Sequence, residues 1–483
     1  MKSWMGFSGL GLAVATVVAA STGGCGSDST STTTSGESTT STSTSGTGGG
    51  TTGTGSSSGG AGGAGVSVSS SASGTDGSST SSTSSASGTG GGAGAPFTSI
   101  GAASYEAQTS VASDAKGAVV AAWIGFFADN TSGIGYAVSR DAGATFTPPA
   151  YVKAPGGRAS GSPVVAVDGQ GRISLAWLGF TFDSMNPDEH VYLARLDNAT
   201  ETFGAPAIAS DDGTSTTRDF DKPSITIDAK DDLLITWADF TGSGMGTPAS
   251  LTLARSSDGA TFKRSTITAD ASFGNLAYLC VDAAGGPTAP LYLVHLGAGG
   301  TVTLRHSTDQ GLTWQTLPAV PATNVIFQDI TCAVHGSDLW ITYASGTAPF
   351  QNGKNTPADA VSVLHSANGG TSFDAVVTAS SGAAGAQYLF PRLARSPAGS
   401  LEIVYYEGTE GNPAALMRAT SKTGATWTSS KLADAGTFTL DRSLASWLGD
   451  YLGVAATDKG LFSSYTENTQ NKAHIGFVHV AAP

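Results

Sequence analysis

Short runs in which apolar and polar residues alternate fill the chain from about Pro96 onward. Alternation with a period of two places one side chain in the core and the next in solvent, which is typical of β-strands. No stretch carries the apolar spacing of about three to four residues that a long amphipathic helix requires. The pattern therefore predicts an all-β domain.

A first repeat consists of a strand, a tight turn and a second strand that ends in an aromatic residue. In three copies a tryptophan lies nine positions after the aspartate of the turn, giving the pairs Asp114 and Trp123, Asp168 and Trp177, and Asp228 and Trp237. Further copies, at Leu279–Asp282, Ile330–Val334, Leu393–Ser396 and Gly453–Thr457, bring the total to seven. Because equal spacing preserves hairpin register, these aspartates, with Asp282, are predicted to be turn residues. The tryptophans are predicted to pack between sheets.

A second repeat is an octet with the pattern S-x-D-x-G-x-T-[F/W], found at Ser139–Phe146 and Ser307–Trp314. The short aspartate side chain accepts backbone N–H groups of a tight loop, the glycine supplies a positive φ, and the last two residues re-enter a strand. Looser copies lie at Asp197–Phe203, Ser256–Phe262, Ser366–Phe373 and Ser421–Trp427. We call these six segments the octet hairpins; the positions that correspond to the octet aspartate are Asp141, Asp197, Asp258, Asp309, Asn368 and Thr423.

The octet resembles the Asp-box, or bacterial neuraminidase repeat, of sialidase-like β-propellers. Its copies recur at roughly 50–60 residues, a spacing typical of propeller blades. The resemblance implies that the octet aspartates are structural and lie on the face of the ring away from the ligand. We predict a seven-bladed β-propeller of four-stranded antiparallel sheets over residues 96–483, in which Phe97–Ala102 supplies the outer strand of the seventh blade. A six-bladed, sialidase-like ring is the alternative.

The first 95 residues predict export and a tether. Residues 1–24 contain an apolar run, Met5–Ala20, that is too short for a membrane span and fits a signal peptide. The segment from Thr22 to Cys25 resembles the lipobox of bacterial lipoproteins, with Thr22 where leucine is usual. It implies lipidation at Cys25 and anchoring to the cell envelope, at the outer membrane or cell surface; an ordinary secretory signal is the alternative. Residues 25–95 are almost wholly Ser, Thr and Gly, so a disordered linker is expected.

Charge and cysteine content limit the kinds of partner, metal and cross-link that we expect for this chain. The chain has a formal net charge of −14 and a pI near 4.8, without a basic stripe, which argues against nucleic acid. Cys280 and Cys332 occupy matched positions in neighbouring blades; a disulfide near the axis and two buried thiols are the alternatives. No Cys/His spacing indicates a metal site. We expect no cofactor, with Ca²⁺ left open, and a monomer that touches the membrane only through its lipid anchor.

In the family that the octet resembles, ligands bind on the face opposite the octet hairpins, here called the upper face. Strand register places charged residues there: Arg218, Asp221, Asp239, Arg392, Glu407, Arg442, Asp450 and Glu467. Their basic and aromatic neighbours include Arg158, Phe182, Lys222 and Tyr451. Such a mouth suits a sugar, a peptide or Ca²⁺.

Two functions follow from this surface. The first is a non-catalytic propeller that binds a glycan or an extracellular protein. The second is an exo-glycosidase similar to sialidases, in which Tyr406 would be the nucleophile, Glu407 its activator and Asp221 the acid/base, with Arg218, Arg392 and Arg442 as the carboxylate clamp. The sialidase family places an arginine ahead of its first Asp-box, but no arginine occurs here between Pro96 and Ser139. Adjacent strand residues also point to opposite faces, which separates Tyr406 from Glu407. We therefore favour binding.

Overall fold

The computed structural model describes residues 97–98, 103–181, 187–210, 217–241, 249–269, 277–297, 300–347, 358–409, 412–437, 448–468 and 473–482. The predicted signal peptide, the lipidation site Cys25 and the linker lie outside these residues.

Seven antiparallel sheets are arranged as a seven-bladed β-propeller, as predicted. The innermost strands of blades 1 to 7 are β2 (Tyr105–Ser113), β6 (Ala159–Val167), β11 (Phe220–Ile227), β15 (Ala277–Val281), β19 (Val325–His335), β23 (Gln387–Arg395) and β27 (Gly453–Thr457). The second strands are β3 (Val119–Phe126), β7 (Ile173–Phe180), β12 (Leu233–Asp239), β16 (Leu291–Gly297), β20 (Asp338–Ser345), β24 (Leu401–Gly408) and β28 (Gly460–Glu467).

The outer half of each blade completes the four-stranded pattern. The third strands are β4 (Ser132–Ser139), β8 (His190–Asp197), β13 (Ser250–Ser256), β17 (Thr301–Ser307), β21 (Ala360–Ser366), β25 (Pro413–Ser421) and β29 (His474–Ala481). The outermost strands of blades 1 to 6 are β5 (Ala150–Val152), β10 (Ala207–Ile208), β14 (Lys263–Thr268), β18 (Gln315–Thr316), β22 (Val377–Thr378) and β26 (Thr428–Thr437), and blade 2 has a further short strand, β9 (Thr202–Phe203). Single 3₁₀ turns lie at Pro155–Gly157 and Ala283–Gly285.

The ring closes through its first strand. Strand β1 (Phe97–Thr98) pairs with β29, with Phe97 opposite Phe477 and Thr98 opposite Gly476. The seventh sheet therefore has the order β1, β29, β28, β27 and joins the two ends of the domain. This closure confirms the predicted outer strand and excludes the six-bladed alternative.

The in-strand aromatic residues form the core between sheets. Trp123, Trp177 and Trp237 are at most 2% exposed, as the sequence predicts. The packing is tight: a Cβ at Gly135, which lies opposite Trp123 on the next strand, would overlap the indole ring. In blade 4, His295 takes the equivalent position, donates from Nδ1 to the Leu296 carbonyl at 3.1 Å and accepts from Arg305 at 3.3 Å. Burial lowers its pKa to about 4, so it packs there as a neutral ring.

The octet hairpins are closed by side-chain hydrogen bonds. At the first, the Ser139 hydroxyl donates to Asp141 at 2.7 Å and accepts from Gly143 N at 2.9 Å, while Thr145 donates to both carboxylate oxygens, from N at 2.8 Å and from Oγ1 at 2.6 Å. The hairpins at Asp258 and Asp309 repeat this network. These donors lower the pKa of Asp141 and of Asp309 to about 2.

The inner-turn aspartates are turn residues on the same face. Asp114 Oδ1 accepts three backbone N–H groups at 2.8–2.9 Å, and Asp168 and Asp228 accept two each. A backbone hydrogen bond from Ala142 N to Gly117 O, at 2.9 Å, joins the first octet hairpin to the first inner turn. Both sets of turns therefore lie on one surface, which we call the hairpin face.

Three octet hairpins depart from the pattern in a residue-specific way. Asn368 keeps the network by accepting from Ser366 and Ser372 through Oδ1 and donating to Ser372 through Nδ2. Thr423 offers only its hydroxyl, which accepts from Ala425 N at 3.3 Å. Asp197, which lacks the preceding serine, accepts from Ala199 N at 2.8 Å, and its hairpin closes through the backbone.

Cys280 and Cys332 are joined in a disulfide, with their Cα atoms 5.9 Å apart. Both residues lie in innermost strands, β15 and β19, and both are buried. The disulfide therefore links blade 4 covalently to blade 5 at the inner end of their interface.

We predict that Asp309→Asn changes stability in a pH-dependent manner. The folded pKa of Asp309 lies below its unfolded value, so its contribution is fully present above about pH 4 and is lost as pH falls toward 2. The difference in unfolding free energy between the wild type and Asp309→Asn should therefore shrink over that window in denaturant titrations. Asp309→Ala, which removes both acceptors, should be the less stable variant at neutral pH. A pH-independent difference for Asp309→Asn would contradict this account.

We also predict that the double variant Cys280→Ser/Cys332→Ser unfolds at a lower temperature. The 52-residue separation gives a chain-entropy stabilisation of up to about 4 kcal/mol. Calorimetry of the wild type, with and without reductant, against the double variant measures the loss. Equal melting temperatures for all samples would show that the disulfide does not stabilise the ring.

Candidate functional site

The innermost strands carry β-bulges near their upper ends. Within the described residues, register shifts interrupt the pairing of β2, β6, β11, β19 and β23 with their second strands. Gln108, Ser162, Lys222 and Phe390, each six positions before its inner-turn residue, have φ values of 50–56°. A non-glycine residue in this region is strained, and a bulge re-aims the side chains that flank it. The bulges thus redirect polar side chains where the strands converge.

Lys222 lies at the centre of a buried charge cluster on the upper side of the ring. Its ammonium contacts Asp450 Oδ2 at 2.5 Å and Asp221 Oδ1 at 3.6 Å. Lys222 is 2% exposed, Asp450 1% and Asp221 7%. Lys222 belongs to blade 3, whereas Asp450 precedes the inner strand of blade 7. The cluster therefore joins two non-adjacent parts of the ring.

Arg392 supplies a second buried cation, from the inner strand of blade 6. Its guanidinium carbon lies 5.6 Å from the ring centre of Tyr278 and 5.4 Å from that of Tyr451, which is the geometry of cation–π contacts. The Tyr451 hydroxyl donates to the Pro163 carbonyl at 3.3 Å, and burial raises its pKa. These residues line an axial cavity of about 440 Å³ whose other walls are the inner strands of blades 1, 2, 3 and 7.

A second group lies at the upper end of blades 2 and 3, and we call it the rim cluster. Asp188 contacts Arg158, His190 at 3.1 Å and Arg218 at 3.6 Å. Asp188 remains 36% exposed in its side chain, so solvent reaches the cluster. Partial burial acts to raise the pKa of Asp188, but the hydrogen bond from Arg158 and the electrostatic effects of Arg158, His190 and Arg218 outweigh it, so the pKa is lowered.

A third group buries a carboxylate between the first and last blades. Glu106 Oε1 accepts from Trp123 Nε1 at 2.8 Å and from the Tyr151 hydroxyl at 2.7 Å, and His474 lies 3.9 Å from Oε2. Glu106 is 1% exposed. Burial and the nearby carboxylate raise the pKa of Tyr151. This group reinforces the seam at which the ring closes.

The three residues suggested for catalysis do not come together. The Tyr406 hydroxyl is buried against blade 7, where it donates to Thr466 O at 3.1 Å and accepts from Thr466 N at 2.8 Å. Burial raises the pKa of Tyr406, which opposes formation of a nucleophilic phenolate. Glu407 is half-buried on the opposite side of the strand and accepts from the Ser381 hydroxyl at 2.6 Å. Asp221 belongs to the Lys222 cluster.

The suggested arginine clamp is divided as well. Arg218 lies in the rim cluster and Arg392 between two tyrosines at the axis, whereas Arg442 and Phe182 lie outside the described residues. Asp239 accepts from Thr241 N at 2.8 Å at the end of β12, and Glu467 ends β28 opposite His474. Of the eight upper-face positions, the structure brings Asp221 and Asp450 into one cluster.

Sequence reasoning missed Asp188, Glu106 and Tyr278. Asp188 lies in the insertion between β7 and β8. The acidic and aromatic composition of this insertion was the signal that could have identified Asp188. Glu106 and Tyr278 occupy inner-strand positions where other blades carry unrelated residue types, so no repeat marked them.

The described residues contain no group of three or more His, Cys, Asp or Glu side chains arranged to hold a metal ion. Across the same part of the chain, no helix has the length and hydropathy of a membrane span.

No protein-family model and no curated protein sequence matches this chain. Solved structures with similar architecture include a protein of unknown function from Dyadobacter fermentans (TM-score 0.43, 16% identity, covering 78% of this chain and 95% of that one). Another is the intramolecular trans-sialidase from Ruminococcus gnavus (TM-score 0.45, 12% identity, 63% and 90% covered). A third is a polysaccharide lyase of family PL25, an ulvan lyase (TM-score 0.48, 10% identity, 80% and 96% covered). At these TM-scores, none of the likenesses decides what this protein binds or does.

We predict that Lys222→Met lowers the unfolding free energy by about 3–5 kcal/mol, because it removes a buried cation that contacts two buried carboxylates. Urea titration with linear extrapolation measures the loss. Lys222→Met/Asp450→Asn removes one of the two charges along with the cation and should recover part of the stability. A loss below about 1 kcal/mol for Lys222→Met would show that the cluster is hydrated and does not hold the ring.

Proposed function

We propose that this protein is a non-catalytic binding propeller that recognises a glycan or an extracellular protein ligand through its upper face. The observation that carries the proposal is the burial of the Tyr406 hydroxyl against Thr466. A nucleophile must reach its substrate and be activated by a neighbouring base. Tyr406 has neither access nor contact with Glu407, and its raised pKa opposes ionisation.

The charges at the axis support the same proposal. Asp221 and Asp450 both form ion pairs with Lys222, and Arg392 is held between two tyrosine rings. A carboxylate that has to exchange a proton during catalysis would need to leave its ion pair, which is costly in a buried site. The cluster is therefore suited to holding the ring together.

The accessible polar groups of the upper face provide a binding surface. The rim cluster presents the Arg158 guanidinium and the Asp188 carboxylate, and in blade 6 Glu407 presents a half-buried carboxylate. Planar charged groups of this kind form paired hydrogen bonds with sugar hydroxyls, carboxylates or peptide groups. Orientation by internal partners lowers the entropy cost of binding.

We further propose that the protein is exported and tethered by lipid at Cys25. The signal-like apolar run and the lipobox-like segment support this, as does the disulfide, since such bonds persist in oxidising compartments. The Ser/Thr/Gly segment would hold the propeller away from the membrane.

We predict that the protein binds members of a glycan or envelope-protein panel without hydrolysing a fluorogenic sialoside. Arg158→Gln should weaken binding roughly tenfold or more, because it removes a charged hydrogen-bond donor. Arg172→Gln, a surface arginine on the hairpin face, is the matched control and should bind normally. Sialoside turnover that disappears in Glu407→Gln would replace this proposal with the exo-glycosidase alternative.

A further inference from the structure

A large groove crosses the hairpin face between blades 5, 6 and 7. Its volume is about 1310 Å³, and the inner turns and third strands of the three blades form its walls. It lies on the surface opposite the one to which we assign ligand binding above. We call it the blade 5–7 groove.

One wall of the groove is a fixed pair of aromatic rings. Trp340 and His365 are cross-strand partners in blade 5, and their rings stack at 5.2 Å with an interplanar angle of 23°. Asp338 contacts His365 Nε2 at 2.9 Å, and Asp374 contacts Nδ1 at 2.8 Å. The imidazole is thus held at both nitrogens and on one face, which makes it a preorganised surface.

The floor of the groove, in blade 6, is rich in planar charged groups and hydroxyls. Arg418 donates to both oxygens of Glu402, at 2.7 and 2.9 Å. The Ser400 and Thr420 hydroxyls also donate to Glu402, at 2.8 and 3.2 Å. Further hydroxyl groups line the same floor, from Ser396, Thr423, Thr426 and Thr428. Hydroxyl-rich floors beside an aromatic wall suit a saccharide, which presents both C–H faces and hydroxyl edges.

Two cations of the groove are placed to contact an anionic ligand. The lining carboxylates Asp338 and Glu402 already contact His365 and Arg418. Arg395 and Lys422 also line the groove, and within the described residues neither has a carboxylate at ion-pair distance. The remaining lining carboxylate is Asp458, at the blade 7 end. With the histidines neutral, three carboxylates and three cations line the groove, so binding of an anion depends on the placement of Arg395 and Lys422 and not on an excess of positive charge.

The octet repeat explains why the blade 6 part of the groove differs in charge from the equivalent parts of blades 1 to 4. The third octet position is aspartate at Asp141, Asp258 and Asp309, but it is Thr423 in the hairpin that lines the groove. A carboxylate there would stand one residue from Lys422 and would offset its charge. The octet hairpin of blade 6 therefore lacks the negative charge that the hairpins of blades 1 to 4 carry, and Asn368 in blade 5 is likewise uncharged.

We propose that the blade 5–7 groove is a second binding site, which takes an acidic oligosaccharide bearing carboxylate or sulfate groups. Arg395 and Lys422 contact the acidic groups, the His365 ring packs against a sugar face, and the Glu402–Arg418 pair and the hydroxyls contact the sugar hydroxyls. This site is separate from the upper face and does not depend on the function proposed for it.

The test measures the affinity of the full chain for three oligosaccharide sets of equal length, namely oligogalacturonates, sulfated dextran fragments and neutral dextran fragments, at 0.15 M salt. We expect binding of at least one acidic set and little binding of the neutral one. Comparison of the uronate and sulfate arms identifies the acidic group. Equal affinity for the neutral and acidic sets would overturn the assignment of an anionic ligand.

Two variants locate the binding. Arg395→Gln/Lys422→Gln should reduce affinity for the acidic set by roughly tenfold or more. Thr423→Asp should do the same by adding a negative charge, while restoring the hydrogen-bond network of the other hairpins and keeping the melting temperature. An unchanged melting temperature for Thr423→Asp would show that its loss of affinity does not come from unfolding.

Arg140→Gln is the matched control, since Arg140 occupies the same octet position as Lys422 but contacts Glu201 and Asn198 in another hairpin. Its affinity should equal that of the wild type. Unchanged affinity in both groove variants, or an equal loss in Arg140→Gln, would overturn the site. If Arg158→Gln abolishes binding of the same oligosaccharides while Thr423→Asp does not, the upper face alone binds them, and the function proposed for it stands.

Discussion

Every sheet of this protein must cover both of its faces with neighbouring sheets, and only a closed ring lets the first and last sheets do so. Closure depends on pairing between β1 and β29, which places the beginning and the end of the domain in one blade. The Glu106 group at the same seam and the Lys222–Asp450 contact across the axis also hold the ring closed. Radial repetition leaves short, protected edges once this seam is made.

The fold could be predicted largely because its repeats are local. Hairpin register follows from spacing within about ten residues, so Trp123, Trp177 and Trp237 could be assigned to the core and Asp114 to a turn. The octet positions likewise specify hydrogen bonds within a few residues of each other. Closure was predictable because seven inner hairpins and six octets leave one outer strand to be supplied.

The site could be predicted only in part, because its contacts are distant in sequence and its blades differ. Lys222 meets Asp450 across 228 positions, and a bulge that no sequence pattern announced directs it there. Asp221 and Asp450 were expected on one surface. Lys222, the cation that contacts both, was expected only to lie near them. Strand alternation did separate Tyr406 from Glu407, but the destination of the Tyr406 hydroxyl, the Thr466 backbone of the next blade, is set by tertiary packing.

The two-residue pairing of β1 also determines how the ring responds to mechanical load. A pull on the chain upstream of Phe97 is transmitted into the propeller through β1, whose pairing involves two positions on β29. By contrast, β25 and β26 of blade 6 pair over most of their length. Tension would therefore detach β1 first, while β2 still packs against blade 7 and the disulfide keeps blades 4 and 5 together. The strand that closes the ring is therefore expected to be the first to separate under tension, before the other sheets lose any strand.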